Sequence, residues 1–306
     1  MKILVFGSNG MVGSSLLNIG LDHKKDFEII GSNREKLDLF NKEETFSYIS
    51  DIKPDVLINA AAKVGGIYAN SQNKADFIIE NLKINLNIAE AIKIFPEILN
   101  ITIGSSCIYP LGTSNPMNES QIMTGKLEPT NSPYAMAKLA NIETSYALHE
   151  QYKVNYLNLL PTNLYGPYDK FNENNSHVIP SLISKFHNAK MEQKKSVALW
   201  GTGKPLREFL FVDDLANAIF FLIENNIVNK TINIGSEEEI TILDLALLIK
   251  EITNYKGEIV FDKTFPDGNP RKLLDSTQIK NLGWTKKTNL ETGLIKTYDW
   301  YLKNIK

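Results

Sequence analysis

The sequence predicts an α/β protein: a doubly wound parallel sheet joined to a second, smaller α/β domain. Three observations carry this expectation. Short apolar runs at 2–6, 26–30, 55–59, 99–103 and 154–160 lack in/out alternation, as strands covered on both faces require. Between them, 11–20, 73–95 and 133–152 place apolar residues at helical spacing, and repeated strand-helix-strand units build a parallel sheet. Gly7-Ser8-Asn9-Gly10-Met11-Val12-Gly13 lies between the first strand and the first helix.

Taken in order, the strand at 2–6 delivers the chain to that loop. Its glycines at 7, 10 and 13 allow a tight turn and a close approach to a pyrophosphate, whose charge then rests on the free N–H groups opening the helix. This is the Rossmann arrangement for a dinucleotide. The second strand ends near Gly31 and is followed by Arg34 with no acid at its tip. A cation there suits the 2′-phosphate of NADP, whereas an acid would suit the ribose hydroxyl of NAD. Asp38, four residues on, still lies within reach of an adenosine. The strand at 55–59 leads to Ala61 and Lys63, the strand at 99–103 to Ser105, and the strand at 154–160 to Pro161, Asn163 and Leu164.

From about 165 Pro, Gly and Asn thicken, at Tyr165 to Tyr168, Asn172 to Asn175, Gly201 to Pro205 and Pro266 to Pro270. A helix at 213–225 and a strand at 231–235 nevertheless resemble the first kind. The expected division is a dinucleotide-binding domain over 1–164 with a return segment of about 208–235, and a discontinuous substrate domain over 165–306.

Composition limits the possible functions. The chain has 306 residues, 43% of them hydrophobic, which suits two globular domains. With 33 Lys and Arg against 35 Asp and Glu, no global positive field exists to hold nucleic acid or a membrane surface. Anions must be bound locally. The one cysteine, Cys107, rules out an intramolecular disulfide and suits a reducing cytoplasm. No apolar run approaches a membrane span, and no metal site is expected.

Tyr134 and Lys138 lie four residues apart, on one face of a helix. The lysine charge favours phenolate and is expected to bring the phenol toward working pH, so that it can protonate a carbonyl oxygen as hydride reaches the carbon. Ser105 stands at the carboxyl edge of the sheet, where its hydroxyl can bond the same carbonyl.

The glycine loop, the serine and the Tyr-x-x-x-Lys pair, in this order, resemble the extended short-chain dehydrogenases/reductases. Within them, Ala61 to Ile67, Gly104-Ser105-Ser106-Cys107-Ile108-Tyr109-Pro110, Glu128 to Tyr134, Pro161 to Pro167, Asn175-Ser176-His177-Val178-Ile179-Pro180, Trp200 to Gly203 with Arg207-Glu208-Phe209, and Pro270 to Asp275 are similar to the GDP-L-fucose synthase family. The resemblance implies conversion of GDP-4-keto-6-deoxy-D-mannose to GDP-L-fucose, by epimerisation at C3 and C5 and reduction at C4 with NADPH.

It further implies Cys107 as base and His177 as acid, added to Ser105, Tyr134 and Lys138. Thiols and imidazoles ordinarily titrate near about 8.5 and 6.5, within reach of neutral pH. Gly7, Asn9, Gly10, Met11, Val12, Gly13, Arg34, Ala61, Lys138, Pro161, Asn163, Leu164 and His177 would hold the cofactor. Ser106, Asn163, Val178, Leu182, Lys185, Trp200, Arg207 and Lys272 would hold the GDP-sugar, with Val178, Leu182 and Trp200 around the guanosine. Trp200 as a core aromatic and Lys63 as a solvated lysine are the plainer alternatives. Ser8 and Asn9 stand where bacterial members often carry basic residues, so the preference for NADPH rests mainly on Arg34. His23, His149 and His187 are expected to be structural or solvated. A homodimer through helices 73–95 and 133–152 is implied too. The alternatives are a related 4-reductase of a GDP-colitose precursor or a GDP-6-deoxy-4-keto-heptose, and a dinucleotide-binding sensor without chemistry.

Overall fold

The computed structural model describes residues 1–23, 26–173, 176–265 and 267–305. Asn175, which opens the histidine segment, and Pro266 fall outside them. Six parallel strands form the main sheet in the order β2-β1-β3-β4-β5-β9: β1 (Lys2–Phe6), β2 (Glu28–Ser32), β3 (Val56–Asn59), β4 (Leu99–Ile103), β5 (Tyr156–Pro161) and β9 (Lys230–Ile234). The order reverses at β1, so the crevice beyond the carboxyl ends of β1 and β3 is where such a sheet takes a ligand.

Both faces are covered, as the unbroken apolar runs predict. Ile3 and Val5 point into a core shared with α1 (Met11–Gly20) and α7 (Val212–Glu224), while Leu4 and Phe6 point the opposite way, toward α2 (Lys42–Ile52) and α4 (Lys74–Ile92). Short α3 (Ile67–Gln72) precedes α4, and α5 (Ser132–Tyr152) packs along it. Local chemistry sets the helix ends. The Asn41 side chain accepts from Glu44 N–H to open α2, and Lys53 closes it at φ 49°. Pro133 stands in the first turn of α5.

Two strands begin two residues later than expected, β5 at Tyr156 rather than 154 and β2 at Glu28 rather than 26. The run at 26–30 is apolar, but Asp26 and Phe27 donate their N–H groups to His23 O, and β2 begins only at Glu28, opposite Lys2. Phe27 is a core side chain on turn backbone.

The smaller layer contains β8 (Leu206–Phe211), paired with β6 (Asn163–Tyr165), β10 (Glu239–Thr241) and β12 (Arg271–Lys272), and a separate pair, β7 (Ser196–Trp200) with β11 (Glu258–Asp262). Its core packs α6 (Val178–Met191), α8 (Ile242–Thr253) and α10 (Leu290–Asn304) around Phe186, Phe209 and Leu245. Short α9 (Thr277–Asn281) adjoins β9. Of the segment 208–235, α7 and β9 lie with the main sheet, whereas β8 belongs to the smaller one.

A buried carboxylate ties the two layers. Glu208 on β8 is 0% exposed; its Oε1 accepts from Glu237 N–H at 2.7 Å and its Oε2 from Leu274 N–H at 3.0 Å. Burial pushes its pKa up, opposed by these same N–H groups. The segment after β9, the segment after β12 and β8 itself thus meet on one side chain. Glu208→Ala leaves two buried N–H groups without acceptors and is expected to cost about 2–4 kcal/mol in denaturant unfolding, with Glu208→Gln costing less.

Candidate active site

The cradle for a dinucleotide is built by exclusion of side chains. Gly7 has φ +77°, and a Cβ there would lie 2.8 Å from Ala61 N; a Cβ on Gly13 would lie 2.2 Å from Gly7 O. The ends of β1 and β3 and the start of α1 therefore touch backbone to backbone. Gly10 caps α1 with no side-chain acceptor and no acid follows in the first turn, so this helix end offers unpaired N–H groups to an anion. These observations fit a pyrophosphate. Asn9, Met11 and Val12 lie on the same turn, and Ala61 N–H is fixed by Asn59 Oδ1 at 3.1 Å.

At the tip of β2, Arg34 is exposed with its guanidinium 5.4 Å from the Phe40 ring centroid. Lys36, which the sequence reading overlooks, places its ammonium 3.3 Å from Gly31 O beside it. Asp38 folds back to accept from Phe40 N–H at 3.0 Å. The strand tip therefore carries two cations. The Lys63 ammonium is held by Glu80 and by Asp76 on α4, so it is ion-paired rather than simply solvated.

Across the sheet edge, β4 leads through Gly104 to Ser105, whose Oγ accepts from Cys107 N–H at 3.2 Å and opens the tight turn Ser106–Ile108. Lys138 on α5 is 6% exposed and donates to Ile103 O at 2.7 Å, with its ammonium 5.7 Å from the Tyr134 ring centroid. Phe77 meets the same ring edge-on. Ser105, Cys107, Tyr134 and Lys138 thus converge, and the Ser105 hydroxyl bonds the phenol.

The expected drop in the phenol's pKa is not found. Burial pushes Tyr134 well above its usual value, Cys107 adds to this, and only the Ser105 hydrogen bond opposes it. The same burial lowers Lys138 to about 8. Tyr134 is therefore a held proton donor at neutral pH.

Cys107 faces cations from the smaller layer. Lys272 Nζ lies 4.0 Å from its Sγ, and the Arg207 guanidinium feels the thiol's charge along with that of Asp267. Arg207 also donates to Leu206 O at 2.8 Å. His177 is exposed and stands at the N-cap of α6 without a side-chain cap bond. Ser106 is buried at the turn, and Pro161 and Leu164 lie at the end of β5 and in β6.

Trp200 is 37% exposed, so it is not a core aromatic; it stacks on Phe265 at 4.3 Å and 10°, with Lys185 Nζ 5.1 Å from its ring. Phe265 gives no local signal, since its partner is 65 residues away. Val178 is partly buried against the second core. Leu182, which the resemblance places beside a guanosine, is 4% exposed inside that core. Asn163 donates its amide to Glu208 O at 2.8 Å. His23, His149 and His187 are bonded to Glu224, Val154 O and Tyr298.

A glycine cradle at a sheet switch point beside a Ser-Tyr-Lys set defines a dinucleotide-dependent enzyme acting at a carbonyl carbon. The chain belongs to the NAD dependent epimerase/dehydratase family, whose family model matches residues 3–235. It is 45% identical over 304 residues to GDP-L-fucose synthase 1 of Arabidopsis thaliana, covering 99% of this chain and 94% of that protein. The structure resembles a GDP-6-OMe-4-keto-L-xylo-heptose reductase from C. jejuni (TM-score 0.91, 31% identity, 99% and 97% of the two chains). It also resembles a GDP-L-fucose synthetase from Naegleria fowleri bound to NADP (TM-score 0.91, 27% identity, 99% and 93%).

Two outcomes follow from this geometry. Gly13→Ala is expected to abolish measurable dinucleotide binding in a titration, because its Cβ meets backbone. Lys138 has a folded pKa of about 8, below its unfolded value of 10.5, so its protonation opposes folding. As pH rises from about 8 to 10.5, the wild type is expected to gain stability relative to Lys138→Met, measured by denaturant unfolding at each pH.

Proposed function

We propose that this chain is an NADPH-dependent enzyme that epimerises C3 and C5 of GDP-4-keto-6-deoxy-D-mannose and reduces C4, giving GDP-L-fucose. The observation that carries this reading is the placement of Cys107 beside the Ser105-Tyr134-Lys138 set, with Lys272 at its sulfur. A plain carbonyl reductase has no use for a second proton-transfer group there.

The 4-keto group acidifies the hydrogens on both adjacent carbons. Cys107 removes such a proton, and the resulting enediolate oxygen is held by Tyr134 and Ser105. His177 returns a proton to the opposite face; its exposure lets solvent restore it. NADPH, when bound on the glycine cradle, supplies the hydride. Tyr134 then gives its proton to O4, and the charge of Lys138 stabilises the phenolate left behind. Arg34 and Lys36 hold the 2′-phosphate. Arg207 and Lys185 neutralise the diphosphate locally, on a chain whose net charge is −2, and Trp200 with Phe265 forms the platform for the guanine.

The division of labour follows the two layers, with 1–164 and the return through β9 holding the dinucleotide and the remainder of 165–306 holding the GDP-sugar. A homodimer fits the exposed apolar residues: Ile79 and Leu86, two turns apart on one face of α4, and Met136 on α5 are 61%, 52% and 47% exposed. The cytoplasmic reading rests on Cys107, a free thiol that a reducing compartment preserves. Among the described residues no helix is long and apolar enough to cross a membrane.

Reduction at C4 without inversion is the second reading, prompted by the neighbour from C. jejuni that is named a heptose reductase. Cys107→Ser discriminates between them. On the first reading it is expected to lower NADPH oxidation with GDP-4-keto-6-deoxy-D-mannose by about 10²-fold or more, the usual worth of a proton-transfer group, with NADPH affinity retained. A variant running at the wild-type rate refutes the assignment of Cys107.

A further inference from the structure

We infer that Tyr109 is a positioning residue for Cys107: its hydrogen bond to Asn233 fixes the turn that carries the thiol and registers it against the strand that carries Lys272. The inference deepens the reading of Cys107 as the proton-transfer base and rests on it.

The turn needs such an anchor. Cys107 lies on the single short turn Ser106–Ile108, whose start is held by the Ser105 side chain on Cys107 N–H. The backbone bonds that close the turn are long, 3.3 Å from Ile108 N to Ser105 O and 3.5 Å from Tyr109 N to Ser106 O, beyond the usual range for such bonds. Its far end is fixed instead by a side chain. Tyr109 is 4% exposed, and its hydroxyl donates to Asn233 Oδ1 at 2.7 Å. Burial, and then the charge of Glu119, push the phenol's pKa up, so it keeps the proton that this bond uses.

Asn233 is a rigid base for that bond. It is 0% exposed on β9, opposite Leu160 of β5. Its amide nitrogen donates to Met117 O at 2.9 Å and to Asp275 O at 3.2 Å, so the oxygen and both amide hydrogens are in use. Met117 N–H in turn donates at 2.7 Å to the carbonyl of Leu273, the residue after Lys272. One side chain thus joins a residue two positions beyond Cys107 to the segment that carries Lys272, and Lys272 Nζ comes within 4.0 Å of Cys107 Sγ. The Glu208 carboxylate holds only the Lys272 side of this junction, at Leu274, whereas Asn233 reaches both sides. An apolar pair of the same shape would fill the space at little cost in stability. A hydrogen-bonded pair adds direction and admits one register of the two segments.

Tyr109→Phe in the full chain removes the bond and keeps the ring in place among Ile108, Leu139 and Leu160. With GDP-4-keto-6-deoxy-D-mannose in deuterated water and no NADPH, deuterium entry into the sugar reports proton transfer alone. The variant is expected to slow this exchange about 10- to 100-fold, the scale on which a misplaced reacting group loses rate, with KM and NADPH affinity unchanged. Tyr109→Phe/Asn233→Leu replaces both partners by apolar groups of similar shape, so stability returns, while exchange is expected to stay slow. Added to Cys107→Ser, Tyr109→Phe is expected to cost nothing further, because the phenol acts only through the thiol. Wild-type exchange by Tyr109→Phe, recovery of exchange in the paired apolar variant, or a further loss on top of Cys107→Ser overturns the positioning role. Wild-type exchange by Cys107→Ser overturns instead the reading of Cys107 on which it rests.

Discussion

The hydrogen bond from Lys138 to Ile103 O is the constraint on which the catalytic side of the molecule depends. It ties α5 to the last residue of β4, and that strand continues directly into Ser105 and Cys107. The bond therefore sets the distance between a phenol on a helix and a hydroxyl and thiol on a loop. The lysine has to be buried to make it. Burial lowers the lysine's pKa and raises the tyrosine's, so the pair is costly in the same place that it is useful. Pre-organised groups of this kind stabilise charge only as it develops on the reacting oxygen.

The second layer acts on the first through fixed backbone. Glu208 gathers three segments, and Lys272, on the strand just before Leu274, is brought to the sulfur of Cys107 as a consequence. Arg207 precedes Glu208 on β8 and faces the same thiol. Cations from the smaller layer thus approach a thiol from the larger one, across a junction held by a carboxylate that never reaches solvent. On a chain whose net charge is −2, positive groups are thus concentrated at this junction.

The parts of the molecule that repeat a local rule were legible in the sequence. β1 and β3 are buried on both faces and read as unbroken apolar runs, and the glycine loop is recognisable because Gly7 and Gly13 each touch backbone. Tyr134 and Lys138 were legible as one helix face. The start of β2 was not, because Phe27 is apolar for reasons of packing while its N–H belongs to a turn. Phe265 left no signal, since it depends on Trp200, a partner brought near only by the fold. The phenol's pKa was misjudged for a related reason, as spacing reveals the neighbouring charge but not the depth at which both groups sit.

One site is claimed to move protons on both sides of a carbonyl and then reduce it. The measurement closest to that claim is the product formed from GDP-4-keto-6-deoxy-D-mannose and NADPH in deuterated water, read by NMR. The account predicts GDP-L-fucose carrying deuterium at C3 and C5. A C4-reduced sugar with the original configuration and no label at either carbon would contradict it, and would leave a reductase whose cysteine and histidine serve another purpose.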